Sequence, residues 1–168
     1  VDAVVVDDSV TVDDRDGDVL VGGTNSAAAT VQITGNHVSG EDELAFTNDG
    51  STMGDLAASY DSSNGTLTFS SSGGATAAEL QAALQSVTYR NTSETPDTSD
   101  RTITFSVDDG SASAVTSTKT VTVAAANDAP TVSASSGSTA FTESASAAAA
   151  VDAVVVDDSV TVDDRDGD

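Results

Sequence analysis

The sequence predicts an all-β protein, a two-sheet antiparallel sandwich with one short helix. Three observations predict it. Several segments alternate apolar residues with Thr, Ser or Gln at period two, the pattern of strands that bury one face and wet the other. Clusters of Gly, Ser, Asn and Asp separate these segments at short intervals, as the turns of a sandwich require. The 168 residues include only four Phe and two Tyr and no Trp, so the core has to be built from Val, Leu, Ile and Ala with an occasional Phe.

In chain order, strands are expected at residues 9–12, 30–33, 56–61, 66–69, 87–89, 102–107 and 120–123, with further short ones at 131–134 and 140–142. Within 56–61 the residues Leu56, Ala58 and Tyr60 share a face. Asn64-Gly65 lies between two of these strands and suits the positive φ angles of a type I′ hairpin turn. The helix is announced by Thr76-Ala77-Ala78-Glu79, whose Thr and Glu are spaced as a capping box, with Leu80, Leu84 and Val87 following at helical spacing. A boundary falls at 124–130, where Pro130 removes an amide donor and holds its predecessor extended. The expected organisation is a sandwich body at 1–125, a short stiff linker at 126–130 and a tail at 131–168.

Charge narrows the function. Twenty-eight Asp plus Glu against five Lys plus Arg give a net charge of −23, which offers nucleic acid no basic footprint. No apolar run approaches the roughly 20 residues of a membrane-spanning helix, and no leader pattern opens the chain. With no Cys, disulfides, thiolate catalysis and zinc-thiolate sites are excluded.

Residues 1–18, VDAVVVDDSVTVDDRDGD, recur letter for letter at 151–168. An identity of that length predicts a repeat of about 150 residues, with the alternative of a designed duplication. Under the repeat reading the chain holds one period plus an overlap, both ends are cuts in a longer protein, and 131–168 are the opening strands of the next repeat. The tail is then expected either to form a small separate unit or to dock on a neighbouring molecule that lacks its own first strands.

Each 18-residue copy carries seven Asp, so the two copies hold half of all acidic side chains. Asp14, Asp16 and Asp18, and their duplicates Asp164, Asp166 and Asp168, lie at i, i+2 and i+4, on one side of an extended segment. Two carboxylates about 4 Å apart repel by roughly 4 kcal/mol at an effective dielectric near 20, so a cluster of them calls for a cation. Ca²⁺, which takes six to eight oxygens in irregular geometry, fits better than octahedral Mg²⁺. The loop is not an EF-hand, since counting from Asp14 the sixth position is Val19 and the twelfth Asn25. The alternative is a solvated acidic loop or a salt-adapted surface.

A resemblance emerges from Asn127-Asp128-Ala129-Pro130, Phe141-Thr142-Glu143, Val162-Asp163-Asp164-Arg165-Asp166, and the stretch from Ser86-Val87-Thr88-Tyr89-Arg90-Asn91 to Phe105-Ser106-Val107-Asp108-Asp109-Gly110. In that order the motifs resemble the cadherin-like, immunoglobulin-like tandem repeats that extend giant bacterial RTX-type biofilm adhesins. The resemblance implies sandwiches in a head-to-tail row with several Ca²⁺ ions at the junctions, forming an extracellular stalk between the bacterial surface and a distal binding domain. It implies as ligands Glu143, Asp164 and Asp166, the linker residues Asn127 and Asp128, the equivalent Asp14 and Asp16, and the strand-end pair Asp108 and Asp109. Asp13, Asp18, Asp163 and Asp168 belong to the same acidic motifs. Two departures stand out: the glycine-rich nonapeptide of RTX calcium rolls is absent, and about 150 residues is long for one sandwich.

Other chemistry is thinly supported. His37, the only His, sits in a polar loop; Glu41, Asp42 and Glu43 form an acidic run that an acid/base pair would need, with nothing in the sequence to raise a pKa. Asn64-Gly-Thr66 and Asn91-Thr-Ser93 match a glycosylation acceptor that has no meaning in a bacterial source. Lys119 reads as a solvated edge charge. The expected function is non-enzymatic, with no small-molecule substrate. The competing classes are a glycan-binding sandwich, which needs an exposed aromatic platform, and a secreted hydrolase, which needs a second titratable centre.

Overall fold

A computed structural model describes residues 2–15, 17, 19–23, 28–111, 113–143, 145 and 153–167. The chain divides into two compact units, Val1–Ala125 and Ala126–Asp168. Unit 1 contains β1 (Val4–Val5), β2 (Ala28–Gly35), β3 (Asp42–Ala45), β4 (Ala57–Asp61), β5 (Thr66–Ser70), α1 (Ala77–Gln85), β6 (Thr88–Asn91), β7 (Arg101–Asp108) and β8 (Val115–Val121). Unit 2 contains β9 (Thr131–Ser133) and β10 (Thr161–Asp163). All strand pairings are antiparallel. The fold is an all-β sandwich with a single short helix.

In unit 1 a five-stranded sheet, ordered β4-β5-β2-β7-β8, and a three-stranded sheet, ordered β1-β6-β3, share one core. Alternation decides which side chains enter it. Ala29, Val31 and Ile33 of β2, Leu67 and Phe69 of β5, and Ile103 and Phe105 of β7 point inward, and Leu44 of β3 and Tyr89 of β6 meet them. Burying a side chain of this size stabilises by about 1.5–3 kcal/mol. Helix α1 adds Leu80, Ala83 and Leu84, all buried. Its N-terminus closes as the sequence predicts: the Glu79 amide donates to Thr76 Oγ1 while the Glu79 carboxylate accepts from the Thr76 amide. None of the helices among the described residues is long and apolar enough to cross a membrane.

Four local expectations are corrected. Residues 9–12 join no ladder: Ser9 turns back on Asp7, donating from its amide and hydroxyl to Asp7 Oδ1, and carries the chain away from β6. Two glutamines one helical turn apart then hold the departing backbone, with Val12 N donating to Gln81 Oε1 at 3.0 Å and Gln85 Nε2 to Val10 O at 2.9 Å. Residues 140–142 likewise form no strand. Asp42–Ala45, where no strand is expected, forms one, because β6 supplies its ladder. The β4–β5 connection is not a two-residue I′ turn. The Asp61 carboxylate gathers Ser63 and Asn64, leaving a loop over residues 62–65 in which only Gly65 is left-handed, at φ +70°. Lys119 is, as expected, a solvated charge on an edge strand: it is exposed on β8, stands opposite Ile103 and pairs with Asp7 at 3.5 Å.

Candidate metal centre

In unit 1, strand β7 ends at Asp108 with Asp109 next in the chain, and the segment held by Gln81 and Gln85 continues into Asp13 and Asp14. Asp13, Asp14 and Asp109 line one cavity of about 220 Å³, floored by Val10, Val12, Leu20, Leu84, Phe105 and Val107. Carboxylates over an apolar floor feel a lower dielectric than in water, which sharpens both their repulsion and their attraction for a cation. The turn after β7 is tied by its own acids: Gly110 N donates to Asp108 Oδ1 and Ser111 N to Asp109 Oδ1, both at 2.8 Å. Each ionised carboxylate retains acceptor capacity beyond one such bond. Asp16 and Asp18, expected beside them, lie outside the described residues.

In unit 2 the topology brings acids together from 38 residues apart. The pairing Asp163↔Thr131 closes the β9–β10 ladder, so the residues before Thr131 and those after Asp163 leave from the same end. Asp128 N donates to Asp166 Oδ2, Asp166 N to Asp164 Oδ1 at 3.3 Å, and Asn127 Nδ2 to Asp128 O at 2.8 Å. Asp163 contributes its backbone carbonyl to Thr131 Oγ1. The linker pair Asn127 and Asp128 and the acids Asp164 and Asp166 therefore converge. Glu143 is exposed and makes no hydrogen bond or ion pair among the described residues. Asp168 lies outside them. The donor set at both places is oxygen only, which suits a hard cation such as Ca²⁺ and not a soft one.

A third acidic cluster has a different character. Asp42, on the core face of β3, is buried and fully engaged: Oδ1 accepts from Tyr89 Oη at 2.6 Å and Asn91 Nδ2 at 2.8 Å, and Oδ2 accepts from Val38 N and Arg101 Nε at 2.8 Å each. Burial pushes this carboxyl up, but the bonds from Arg101, Tyr89, Val38 and Asn91 outweigh it and leave the group below its ordinary range. Arg101 is also fully buried; burial works against its charge, and Asp42 more than restores it. Tyr60 Oη donates to the Asp42 carbonyl at 2.8 Å, and burial followed by the nearby acids raises its pKa to about 12. Such a carboxylate has no proton to give and no open acceptor, so the cluster ties β3, β6 and β7 together. Glu43 beside it faces outward and pairs with the exposed Arg90. Sequence reasoning missed this tie, although parity announces it: Arg101 falls on the same face as Ile103 and Phe105, and Asp42 on that of Leu44.

No protein-family model matches the chain, and neither a curated protein nor a solved structure is significantly similar to it.

Proposed function

We propose that the chain is a calcium-dependent structural extender module, an immunoglobulin-like or cadherin-like sandwich repeat of a secreted bacterial surface adhesin. The observation that carries the reading is the convergence, at one end of the β9–β10 hairpin, of Asn127 and Asp128 with Asp164 and Asp166. Mutual repulsion makes this acidic end loose without a cation. A divalent ion held by these oxygens ties the segment that leaves one sandwich to the opening strand of the next, which fixes the angle between successive repeats. The acids Asp13, Asp14 and Asp109 give the first unit a second oxygen-lined position. No step of chemistry is involved; the mechanism is mechanical.

The test is thermal unfolding in excess Ca²⁺ and in EDTA at equal ionic strength, because salt alone screens distant charges but cannot bridge two segments. An ion that binds only the folded state stabilises by about 2.7 kcal/mol per site at a hundredfold excess over its Kd. The midpoint is expected to rise in Ca²⁺, and Asp164→Asn with Asp166→Asn to lose part of that rise. Superimposable curves for the unaltered chain would sink the calcium reading.

A further inference from the structure

Asn64-Gly65 is the one Asn-Gly step in the chain, and Asn64 is exposed in the loop between β4 and β5. An asparagine in front of glycine readily loses its side-chain amide, because no Cβ hinders the glycine nitrogen. The Gly65 nitrogen gives up its proton and bonds to Asn64 Cγ, the side-chain nitrogen takes up a proton and leaves as ammonia, and water opens the resulting five-membered imide at either carbonyl. Position 64 then holds aspartate or, where the ring opens the other way, a β-linked isoaspartate that adds one carbon to the backbone. For the first bond to form, the peptide between the two residues has to turn its nitrogen towards Cγ.

The loop blocks that turn at every polar atom involved. Gly65 N donates to Asp61 O at 2.9 Å and Gln32 Nε2 donates to Asn64 O at 3.2 Å, so the peptide is held at its nitrogen and at its oxygen. Asn64 Nδ2 donates to Asp61 Oδ2 at 2.9 Å and Thr66 N donates to Asn64 Oδ1 at 3.1 Å, so the side chain is held at both of its ends. Ile33 N donates to Gly65 O at 2.9 Å, and the His37 ring lies where a Cβ on Gly65 would point, which leaves this glycine buried although its neighbour is exposed. The two Asp-Gly steps of unit 1 whose residues are both described have their glycine nitrogens engaged in the same way, Gly50 N by Asn48 Oδ1 at 2.7 Å and Gly110 N by Asp108 Oδ1 at 2.8 Å.

We infer that Asn64 is a self-modification site that its loop holds shut, with Asp61 and Gln32 as the positioning residues that prevent its conversion. Opening the loop frees the Gly65 nitrogen for attack. Conversion then removes its own lock, because the new carboxylate has no hydrogen to donate to Asp61 and repels it. The change is therefore one-way and leaves the β4–β5 connection open.

The test follows the full chain at mildly alkaline pH by peptide mass mapping, which reads the amide-to-acid mass change at position 64 and separates aspartate from isoaspartate. The folded chain is expected to convert far more slowly than the same chain in urea. Asp61→Ala and Gln32→Ala each remove one clamp, and the net worth of a single hydrogen bond corresponds to roughly a 2–12-fold faster conversion in the folded state. In urea both variants are expected to match the parent. Thr76→Ala, which opens the capping box of α1 and leaves the loop untouched, is the control and is expected to keep the parent's folded-state rate. A parent that converts as fast folded as unfolded would overturn the inference, and so would D61A and Q32A at the parent's rate. A T76A chain converting as fast as D61A would also overturn it, since protection would then come from the stability of the whole unit and not from the clamps. The parent comparison and Q32A carry the test if D61A fails to fold.

Discussion

Replacing Arg101 with Met removes a guanidinium from the core while keeping much of its volume. Asp42 then retains its bonds from Tyr89, Asn91 and Val38 but has lost its countercharge, and neither side chain had any exposure to solvent that could compensate. Breaking a buried pair from one side costs about 3–5 kcal/mol. For a unit of this size each kcal/mol is worth roughly 3–5 °C, so the midpoint of unit 1 is expected to fall by about 10–20 °C. The pH dependence carries the sign. In the unaltered chain Asp42 is depressed below its unfolded value of about 3.9, so its contribution is full above that pH and lost as pH falls through the folded value. In R101M protonation relieves the stranded charge, and the gap between variant and parent narrows from pH 7 towards pH 4. Urea unfolding followed by tyrosine fluorescence is the assay, because both tyrosines of the chain bond to Asp42. A loss under about 1 kcal/mol, or a gap that widens on acidification, would refute the account; the replacement of both partners in R101M/D42L should recover much of the stability.

Two further substitutions test the local structure. Gly65→Ala puts a Cβ within 2.8 Å of the His37 ring at φ +70°, and a loss of about 1–2 kcal/mol is expected from the left-handed backbone alone, read by the same urea titration. Thr76→Ala opens the capping box of α1 and should cost about 1 kcal/mol, with Thr76→Ser restoring most of it.

The elements legible in the sequence were those whose own pattern sufficed. Residues 30–33, 66–69 and 102–107 alternate strictly and form β2, β5 and β7, and the Thr76 and Glu79 spacing marks the helix start. Asp42–Ala45 was illegible because a run of acids has no strand preference of its own, and partnership with β6 decides its state. The duplicated segment makes the same point more sharply. Thr161–Asp163 forms a strand against β9 while the identical residues 11–13 form none, so the difference cannot reside in the letters. The candidate site follows the same division. Acid spacing within each copy is visible in the sequence, whereas the approach of Asp128 to Asp166, and of Asp13 and Asp14 to the cavity of Asp109, depends on ladder register and on two glutamines of the helix.

Strand β2 lies between β5 and β7, neither of which is its neighbour in sequence. On its two sides stand hairpins that local chain can close quickly, β4–β5 and β7–β8. The five-stranded sheet is therefore two prefabricated hairpins joined through one strand by two seams, and the seam with β7 closes a loop from Ala28 to Asp108. Loop closure of that span has to precede any reward from contacts, so the barrier to folding is expected to reside in β2. Truncating Val31 should slow refolding, and truncating Ala58 on the outer hairpin should mainly quicken unfolding; stopped-flow chevrons with those two effects interchanged would place the barrier elsewhere. The equilibrium structure gives every strand equal standing, while in time one strand governs when the rest become a sheet.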